Sequence, residues 1–310
     1  MVTPHEAIEA IHGQYGVHPG ARALHAKGRL YRGTFTATAE GKRLSTAGFL
    51  DGSSIPALVR FSNGAGNPRV KDKSPAPHGL AVKFSLPNGK TADISSQTAK
   101  VFITKGPEGL VDFIKAASAG AMAPVKLAKV FIDHPEALKS SVINAPTLRT
   151  PKSYGQVRFY GLHAFKWTGA DGESRWVRYQ WIPEAGEKYF APHKAARISR
   201  DYLLDEVDSR LAQGPIRFTL RVQVAGPDDS TVDPSQNWKS DEFVDVGTLE
   251  ITGRDTEREK DGDIVVFDPM RVTDGIEPSD DPVLRFRTLA YSESVRLRSG
   301  VERGAEAPHV

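Results

Sequence analysis

The sequence predicts an α+β fold, in which a closed antiparallel β-barrel of eight strands carries a few added helices. Three observations predict it: many short segments alternate apolar and polar residues, their connections are rich in Asn, Asp, Gly and Pro, and helical patterns are few. Several turn-rich connections, such as "LPNGK" and "GADGE", separate neighbouring strand segments as hairpin loops do. We therefore expect antiparallel pairing rather than a parallel sheet.

The first strand is expected at residues 28–37, where "GRLYRGTFTA" places Tyr31 and Phe35 on one face and Arg32 and Thr34 on the other. Seven further segments have strand patterns: 56–63, 78–86, 99–104, 160–167, 174–182, 216–224 and 244–252. Four segments have helical patterns: 107–118, 124–135, 199–214 and 281–300. The chain shows no internal repeat, so we expect a single domain over residues 1–310.

Composition excludes several classes of function. The chain has 41 Lys and Arg against 38 Asp and Glu, so its net charge of +3 gives no general attraction to nucleic acid or to an anionic membrane. It has no cysteine, which excludes disulfides and thiolate metal sites. No apolar stretch approaches the roughly 20 residues of a membrane span. We expect a soluble protein, by default cytoplasmic, with no nucleic-acid partner.

Common catalytic motifs are absent from the sequence: it has no Walker loop, no strand-linked GxGxxG, no HExxH and no GxSxG. Its nine histidines are scattered, and the one close pair, His5 and His12, lies in a segment that we expect to be mobile. Nucleotide and histidine–zinc sites are therefore both disfavoured.

The last helical segment carries an unusual stripe. Arg287, Tyr291, Ser294 and Arg298 are spaced so that they share one face of a helix. The stripe fits a solvated basic face with an incidental tyrosine. It also fits an arginine that favours the phenolate of a tyrosine one turn away, and a phenolate is a hard ligand for ferric iron. The stripe alone leaves both interpretations open.

Seven segments between residues 22 and 298 follow the order and approximate spacing of the haem catalases. The segments are "RALHAKG", "LVRFSNGAG", "HGLAVKFSLPNG", "VFITKGPEGLVDFI", "FYGLHAFKW", "GIEPSDDPVLRFRTLAY" and "RLR". The chain thus resembles the catalase superfamily over nearly its whole length, and its short length resembles the small catalase-related peroxidases more than full-size catalases. The resemblance implies a catalase-like barrel with haem b between the barrel and the C-terminal helix.

The resemblance also implies roles for single residues. His25 would be the distal histidine that takes a proton from one peroxide oxygen and returns it to the other. Ser62 would orient His25 by a hydrogen bond. Tyr291 would be the proximal ligand of the ferric iron, with Arg287 as its hydrogen-bond partner. Without the resemblance, His25 would be interpreted as a core or strand-end histidine and Ser62 as an ordinary strand serine.

Further residues match the walls of the haem site in the family. Arg22, Arg60 and Arg298 match the three arginines that pair with the haem propionates, a task that suits a planar guanidinium. Phe102 and Leu110 lie in the segment that lines the distal pocket, although any core would show similar apolar residues.

One position departs from the family pattern. Catalases carry a distal asparagine that helps to hold peroxide, whereas "DISSQTAKVFI" has Ser96 or Gln97 in that neighbourhood. We expect this change to impair oxidation of a second peroxide more than haem binding. The short chain also predicts an open approach to the haem. Both features predict that peroxidase activity exceeds catalase activity.

The expected function is haem-dependent reduction of hydrogen peroxide, organic hydroperoxides or both, with an external small-molecule electron donor. True catalase activity is one alternative. Conversion of fatty-acid hydroperoxides to allene oxides is another, but Leu24 stands where the coral-type enzymes have a threonine. A non-enzymatic haem protein would not need both His25 and Ser62.

Two further expectations follow from the resemblance. His163 matches a position near the NADPH site of some catalases, but the other contacts of that site cannot be traced, so no nicotinamide cofactor is assigned. A short N-terminal arm should prevent the interlocked tetramer of full-length catalases, so we expect a homodimer.

Overall fold

Ten strands form one antiparallel sheet in the computed structural model, which describes residues 1–74, 76–259 and 264–299. The strands are β1 Gly28–Ala37, β2 Ser54–Asn63, β3 His78–Ser85, β4 Thr91–Gln97, β5 Phe159–Tyr160, β6 Phe165–Thr168, β7 Ser174–Pro183, β8 Ile216–Val224, β9 Phe243–Arg254 and β10 Ile276–Pro278. Around the ring the order is β7, β5, β4, β3, β2, β1, β9 and β8, and β8 closes it by pairing with β7. The predicted closed barrel of eight strands is therefore confirmed. β6 and β10 extend from β7 outside the ring.

The described residues include eight α-helices. They are α1 Pro4–Tyr15, α2 Ala39–Leu44, α3 Pro107–Ala117, α4 Ala123–Asp133, α5 Pro135–Asn144, α6 Pro192–Ala195, α7 Tyr202–Leu211 and α8 Pro282–Ser299. The four predicted helices correspond to α3, α4, α7 and α8. Residue 300, the predicted end of the last helix, lies outside the described residues. No helix in the described ranges is both long and apolar enough to cross a membrane.

The N-terminal segment was expected to be mobile, and the structure corrects this. Thr3 accepts a hydrogen bond from the backbone of Glu6, and the Glu6 side chain bonds back to Thr3, so α1 begins with a capping box. His5 does not pair with His12, because its Nδ1 lies 2.8 Å from Glu293 of α8. The helix packs on α3 and α8.

Two strand predictions were wrong in detail. Residues 99–104 form no strand, and the strand in that part of the chain is β4, which was not predicted. The predicted strand 160–167 is two short strands, β5 and β6, separated by residues 161–164. β10 was also not predicted.

Apolar side chains fill the interior of the barrel, and helices pack against part of its outer face. In β2, Val59 and Phe61 lie in the main hydrophobic core, and both are fully buried. Because side chains alternate along a strand, Arg60 and Ser62 face the other way, out of the barrel. A second apolar cluster joins α1 to α3 outside the barrel, through residues such as Ile8 and Val111. The site described below lies between these two clusters.

Candidate active site

A cavity of about 240 Å³ lies against the outer face of β2, β3 and β4, and α1, α3 and α8 enclose it. Since one water needs roughly 10–15 Å³ by such a measure, the cavity has room for a ligand far larger than peroxide. Its walls include all nine residues that the resemblance assigns to the haem site: Arg22, His25, Arg60, Ser62, Phe102, Leu110, Arg287, Tyr291 and Arg298. Apolar residues of α1, among them Ile8 and Ile11, were not predicted to line it.

His25 is held by both its backbone and its ring. Its φ is 55°, the one left-handed conformation at a non-glycine position in the described residues, and its N–H donates to the carbonyl of Gly64 at 3.3 Å. The ring Nδ1 lies 3.0 Å from Ser62 Oγ. The ring also packs on Gly79, where a Cβ atom would be 2.7 Å from Nδ1. Only glycine at position 79 therefore allows this placement of the imidazole.

The surroundings of His25 keep the imidazole neutral. Burial lowers the pKa of His25 to about 3, and the positive charges of Arg60, Arg287 and Arg22 act in the same direction. Arg60 also donates to the His25 carbonyl at 2.9 Å. A neutral imidazole has one ring nitrogen that accepts a proton, which proton transfer to and from a bound substrate requires.

Tyr291 contacts two nitrogens of Arg287 one turn earlier in α8. Arg287 Nε donates to the phenol oxygen at 2.9 Å, and a terminal nitrogen makes a second, shorter bond to the same atom. The phenol oxygen is the acceptor in both bonds, because a guanidinium only donates. The helical spacing of the two residues predicted this contact.

Behind Arg287 lies a chain of buried groups that sequence reasoning did not assign. Arg287 NH1 is 3.0 Å from His163 Nε2, and His163 Nδ1 is 2.6 Å from an oxygen of Asp281. The other Asp281 oxygen accepts from the backbone of Val283 at 2.8 Å, so Asp281 also caps α8. An aspartate directly before a helix-starting proline was the available signal for this cap.

Besides Arg287, three further guanidiniums line the cavity, those of Arg22, Arg60 and Arg298. Burial lowers the pKa of Arg22 well below its usual value, and the charges of Arg60 and Arg298 lower it further. Arg298 Nε is buried and has no hydrogen-bond partner in the described part of the chain. Clustered cations of this kind are stabilised by an anionic ligand with several acceptor oxygens.

The two candidates for the distal polar position differ in their contacts. Ser96 Oγ donates to the carbonyl of Leu80 at 2.5 Å, a bond within the barrel wall. Gln97 is half-buried at the end of β4 and lines the cavity. Gln97 is therefore the group whose amide remains available at this wall.

Known proteins resemble the chain over nearly its full length. A family model described as catalase matches residues 12–305. A catalase-related peroxidase from Mycolicibacterium paratuberculosis is 56% identical, and the match covers 100% of this chain and 99% of that protein. A catalase-related peroxidase from Synechococcus elongatus is 33% identical, with 96% of this chain and 89% of that protein covered.

Larger proteins match over part of their length. Catalase A from Pseudomonas putida is 28% identical, and the match covers 90% of this chain and 62% of that protein. A solved fungal catalase superposes with a TM-score of 0.78 at 23% identity, covering 91% of this chain and 60% of that one. The structural likeness supports the same barrel fold.

Proposed function

Because the chain belongs to the catalase family, we propose that it is a haem-dependent peroxidase that reduces hydrogen peroxide, organic hydroperoxides or both with an external electron donor. The observation that carries the proposal is that His25 and Tyr291, from different elements, line one cavity, each with a polar partner in place. The small catalase-related peroxidase branch of the family fits the identities of 56% and 33% to two proteins of that name. We also propose that the chain is a single domain and forms a homodimer.

The residues of the cavity fit the haem that the family implies. Among the described residues, Arg298 Nε has no partner and positive charges crowd around Arg22, an arrangement that suits an anion, and haem b carries two propionates. Arg22, Arg60 and Arg298 would hold those propionates. The Tyr291 phenol oxygen, polarised by Arg287, would be the iron ligand. Phe102 and Leu110 would provide apolar contacts beside the ring system.

On the distal side, His25 would move the proton. Its Nδ1 is engaged by Ser62, which leaves Nε2 to take the proton from one peroxide oxygen and deliver it to the other as the O–O bond breaks. Because its pKa is about 3, the imidazole is ready to accept that proton at any physiological pH. Bound haem would supply the redox-active iron that accepts and passes on electrons.

On the proximal side, the chain of buried groups would hold Arg287 in place. Asp281 orients His163, and His163 Nε2 meets Arg287 on the nitrogen that does not contact Tyr291. The guanidinium therefore has a fixed orientation toward the phenol oxygen. The two hydrogen bonds from Arg287 would thereby fix the position of the phenol oxygen that ligates the iron.

We expect peroxidase activity to exceed catalase activity, since Ser96 and Gln97 stand where catalases have the asparagine that helps to place peroxide. Simultaneous assays of oxygen evolution and guaiacol oxidation on haem-loaded protein test this expectation. Oxygen release at the rate of a true catalase would contradict it.

The test of the haem assignment is the absorption spectrum of the purified protein. Wild type should show a Soret band, and Tyr291→Phe should lose or shift it because the phenol oxygen is gone. Tyr160→Phe is the matched control, since Tyr160 is half-buried and lies outside the cavity walls. A wild type without a Soret band after haem loading would overturn the proposal.

A further inference from the structure

One part of the surface carries a concentration of positive charge that the proposed reaction does not use. It consists of residues 67–74, between β2 and β3, and residues 188–200, which include α6. We call these two segments the cationic surface. Its basic residues are Arg69, Lys71, Lys73, Lys188, Lys194, Arg197 and Arg200. Its one acidic residue, Asp72, is fully buried and paired with Lys27.

The two segments are joined into a single surface. Lys73 Nζ donates to the carbonyl of Ala196 at 2.9 Å, and the backbone N–H of Asp72 donates to the carbonyl of Arg200 at 2.9 Å. Arg200 in turn donates to the carbonyl of Arg69. The two segments are therefore held next to each other and place their positive charge on one surface, although the protein as a whole is nearly neutral at +3.

Across the part of the chain that the structure describes, most of these cations have no anionic partner. In the described ranges, Arg69, Lys71, Lys194 and Arg197 are exposed and form no ion pair. The acidic neighbours are already engaged: Asp201 lies 2.7 Å from Lys27, and Glu187 lies 3.1 Å from Arg158. Unpaired, exposed charge of one sign attracts a partner of the opposite sign.

The surface lies directly behind the wall that holds His25. The carbonyl of Asp72 is 3.3 Å from Nε2 of the buried His78, and the next residue, Gly79, packs on the His25 ring. Aromatic rings continue inward from the second segment, because Phe190 packs on Tyr202 with centroids 5.8 Å apart. His78 also packs on the buried Tyr154, at 5.5 Å. The first segment of the surface is thus linked to the His25 ring through two consecutive residues, His78 and Gly79.

We propose that the cationic surface docks an acidic protein that donates electrons for peroxide reduction, beside any small donor that enters the cavity. This inference rests on the proposed function. Reduction of one hydroperoxide breaks the O–O bond to give an alcohol and water, and it consumes two electrons and two protons. The donor protein supplies the electrons one at a time, and water supplies the protons. The position of the surface at the His25 wall favours an electron donor over nucleic acid.

Reduced flavodoxin is the probe, because it is an acidic one-electron donor, and the holoenzyme is used throughout. The test variant is Lys71→Glu with Arg197→Glu, since both side chains are exposed and neither forms an ion pair within the described ranges. The matched control is Lys42→Glu with Lys90→Glu, two exposed lysines on α2 and on the β3–β4 turn. At low salt, the test variant should lose at least about tenfold in kcat/KM for flavodoxin, and the control should lose less than twofold.

Two further measurements distinguish failure of the proposed function from failure of the docking surface. Guaiacol turnover should be equal in all three proteins, and its absence in wild type would refute the proposed function rather than the docking surface. Flavodoxin binding without peroxide should weaken only in the test variant and should vanish at about 0.5 M salt. Equal flavodoxin kinetics and binding in the two variants would overturn the proposal. So would a test variant that loses only binding to a duplex oligonucleotide, because the surface would then serve nucleic acid.

Discussion

At the scale of single residues, His25 is the position where backbone and side chain are constrained together. A left-handed φ of 55° is uncommon outside glycine, and histidine is among the residues that tolerate it best. The neighbouring strand contributes Gly79, which leaves the ring just enough room. Local strain of this kind persists where the surrounding structure fixes it, and here it fixes the ring that would move the proton.

Gly79→Ala tests how closely the ring must be held. The added methyl would meet His25 Nδ1 at 2.7 Å and Ser62 Oγ at 2.6 Å, so the imidazole must move by a sizeable fraction of an ångström. We expect the rate of peroxide reduction to fall by about 100-fold, measured by stopped-flow mixing. Gly253→Ala in β9 is the control, because its methyl would meet Arg32 at an ordinary 3.5 Å. An unchanged rate in Gly79→Ala would show that the ring position is not critical.

The pH profile tests the protonation state of His25. With its pKa at about 3, the imidazole is neutral at both pH 5 and pH 8, so the rate constant for the first step should agree within about twofold between them. An ordinary histidine, with a pKa near 6.5, would be almost fully protonated at pH 5 and would lose more than tenfold in rate. A fall of that size below pH 6.5 would contradict the assignment.

The residues of the site were largely predictable because the chemistry selects few residue types. A distal histidine, a phenol with its arginine and three further arginines are recognisable in order along the chain, and all of them line the cavity. The link from Asp281 through His163 to Arg287 was not predictable, because its members are up to 124 positions apart in sequence. Which of Ser96 and Gln97 remains available also required the structure, because a barrel carbonyl engages Ser96.

At the scale of elements, the N-terminus of α8 has both a structural and a chemical task. Asp281 caps the helix with one oxygen and orients His163 with the other, while Arg287 and Tyr291 follow on the same helix. The helix also reaches the His25 segment, since Ser294 Oγ accepts from the backbone of Ala23 at 3.3 Å. A substitution at the N-terminus of α8 should therefore alter the hydrogen bonds that Arg287 donates to the Tyr291 phenol oxygen.

Two substitutions at Asp281 separate these tasks. Asp281→Ala removes the cap and the partner of a buried histidine, so we expect a loss of about 2–4 kcal/mol in the free energy of unfolding by denaturant. Asp281→Asn keeps a capping oxygen but removes the charge, so stability should change less while the absorption spectrum of the haem-loaded protein shifts. Equal stability of Asp281→Ala and wild type would mean that the cap is unimportant.

Strand prediction failed where side chains replace backbone partners. Residues 99–104 alternate as a strand does, yet the N–H groups of Lys100 and Val101 donate to the side chain of Asn144, which returns a bond to Val101. β4 went unnoticed because it is mostly polar: Asp93 faces Lys83 and Arg271, and Gln97 faces the cavity. Six of the eight predicted strands lie on strands of the structure in the expected place, and a seventh is split into two, because their alternation reflects a buried barrel interior.

At the scale of the whole molecule, the main core and the cavity occupy opposite faces of one barrel wall. The core is an aromatic cluster in which Phe35 packs against Phe84, Phe49 and Trp181 with centroids 5.1 to 6.2 Å apart. None of these four residues lines the cavity. Packing inside the barrel therefore supports the site without taking part in it.

Phe35→Ala tests this separation. Loss of a fully buried ring should lower the free energy of unfolding by about 3–5 kcal/mol. Peroxide turnover per haem should stay within about twofold of wild type at a temperature where both are folded. Phe243→Ala, at a position that is 44% exposed, should change neither quantity. A large loss of turnover in folded Phe35→Ala would show that the two faces are coupled.

The alternation of side chains along β2 limits which mutations its coding sequence can tolerate. Val59 and Phe61 fill the barrel while Arg60 and Ser62 line the cavity, so every second codon of this stretch specifies a different task. Point substitutions can alter one task and spare the other. Insertion or deletion of one codon would exchange the two sets, burying an arginine and exposing a phenylalanine to the cavity. Divergent relatives should therefore accumulate length changes in the loops on either side of β2 rather than within it.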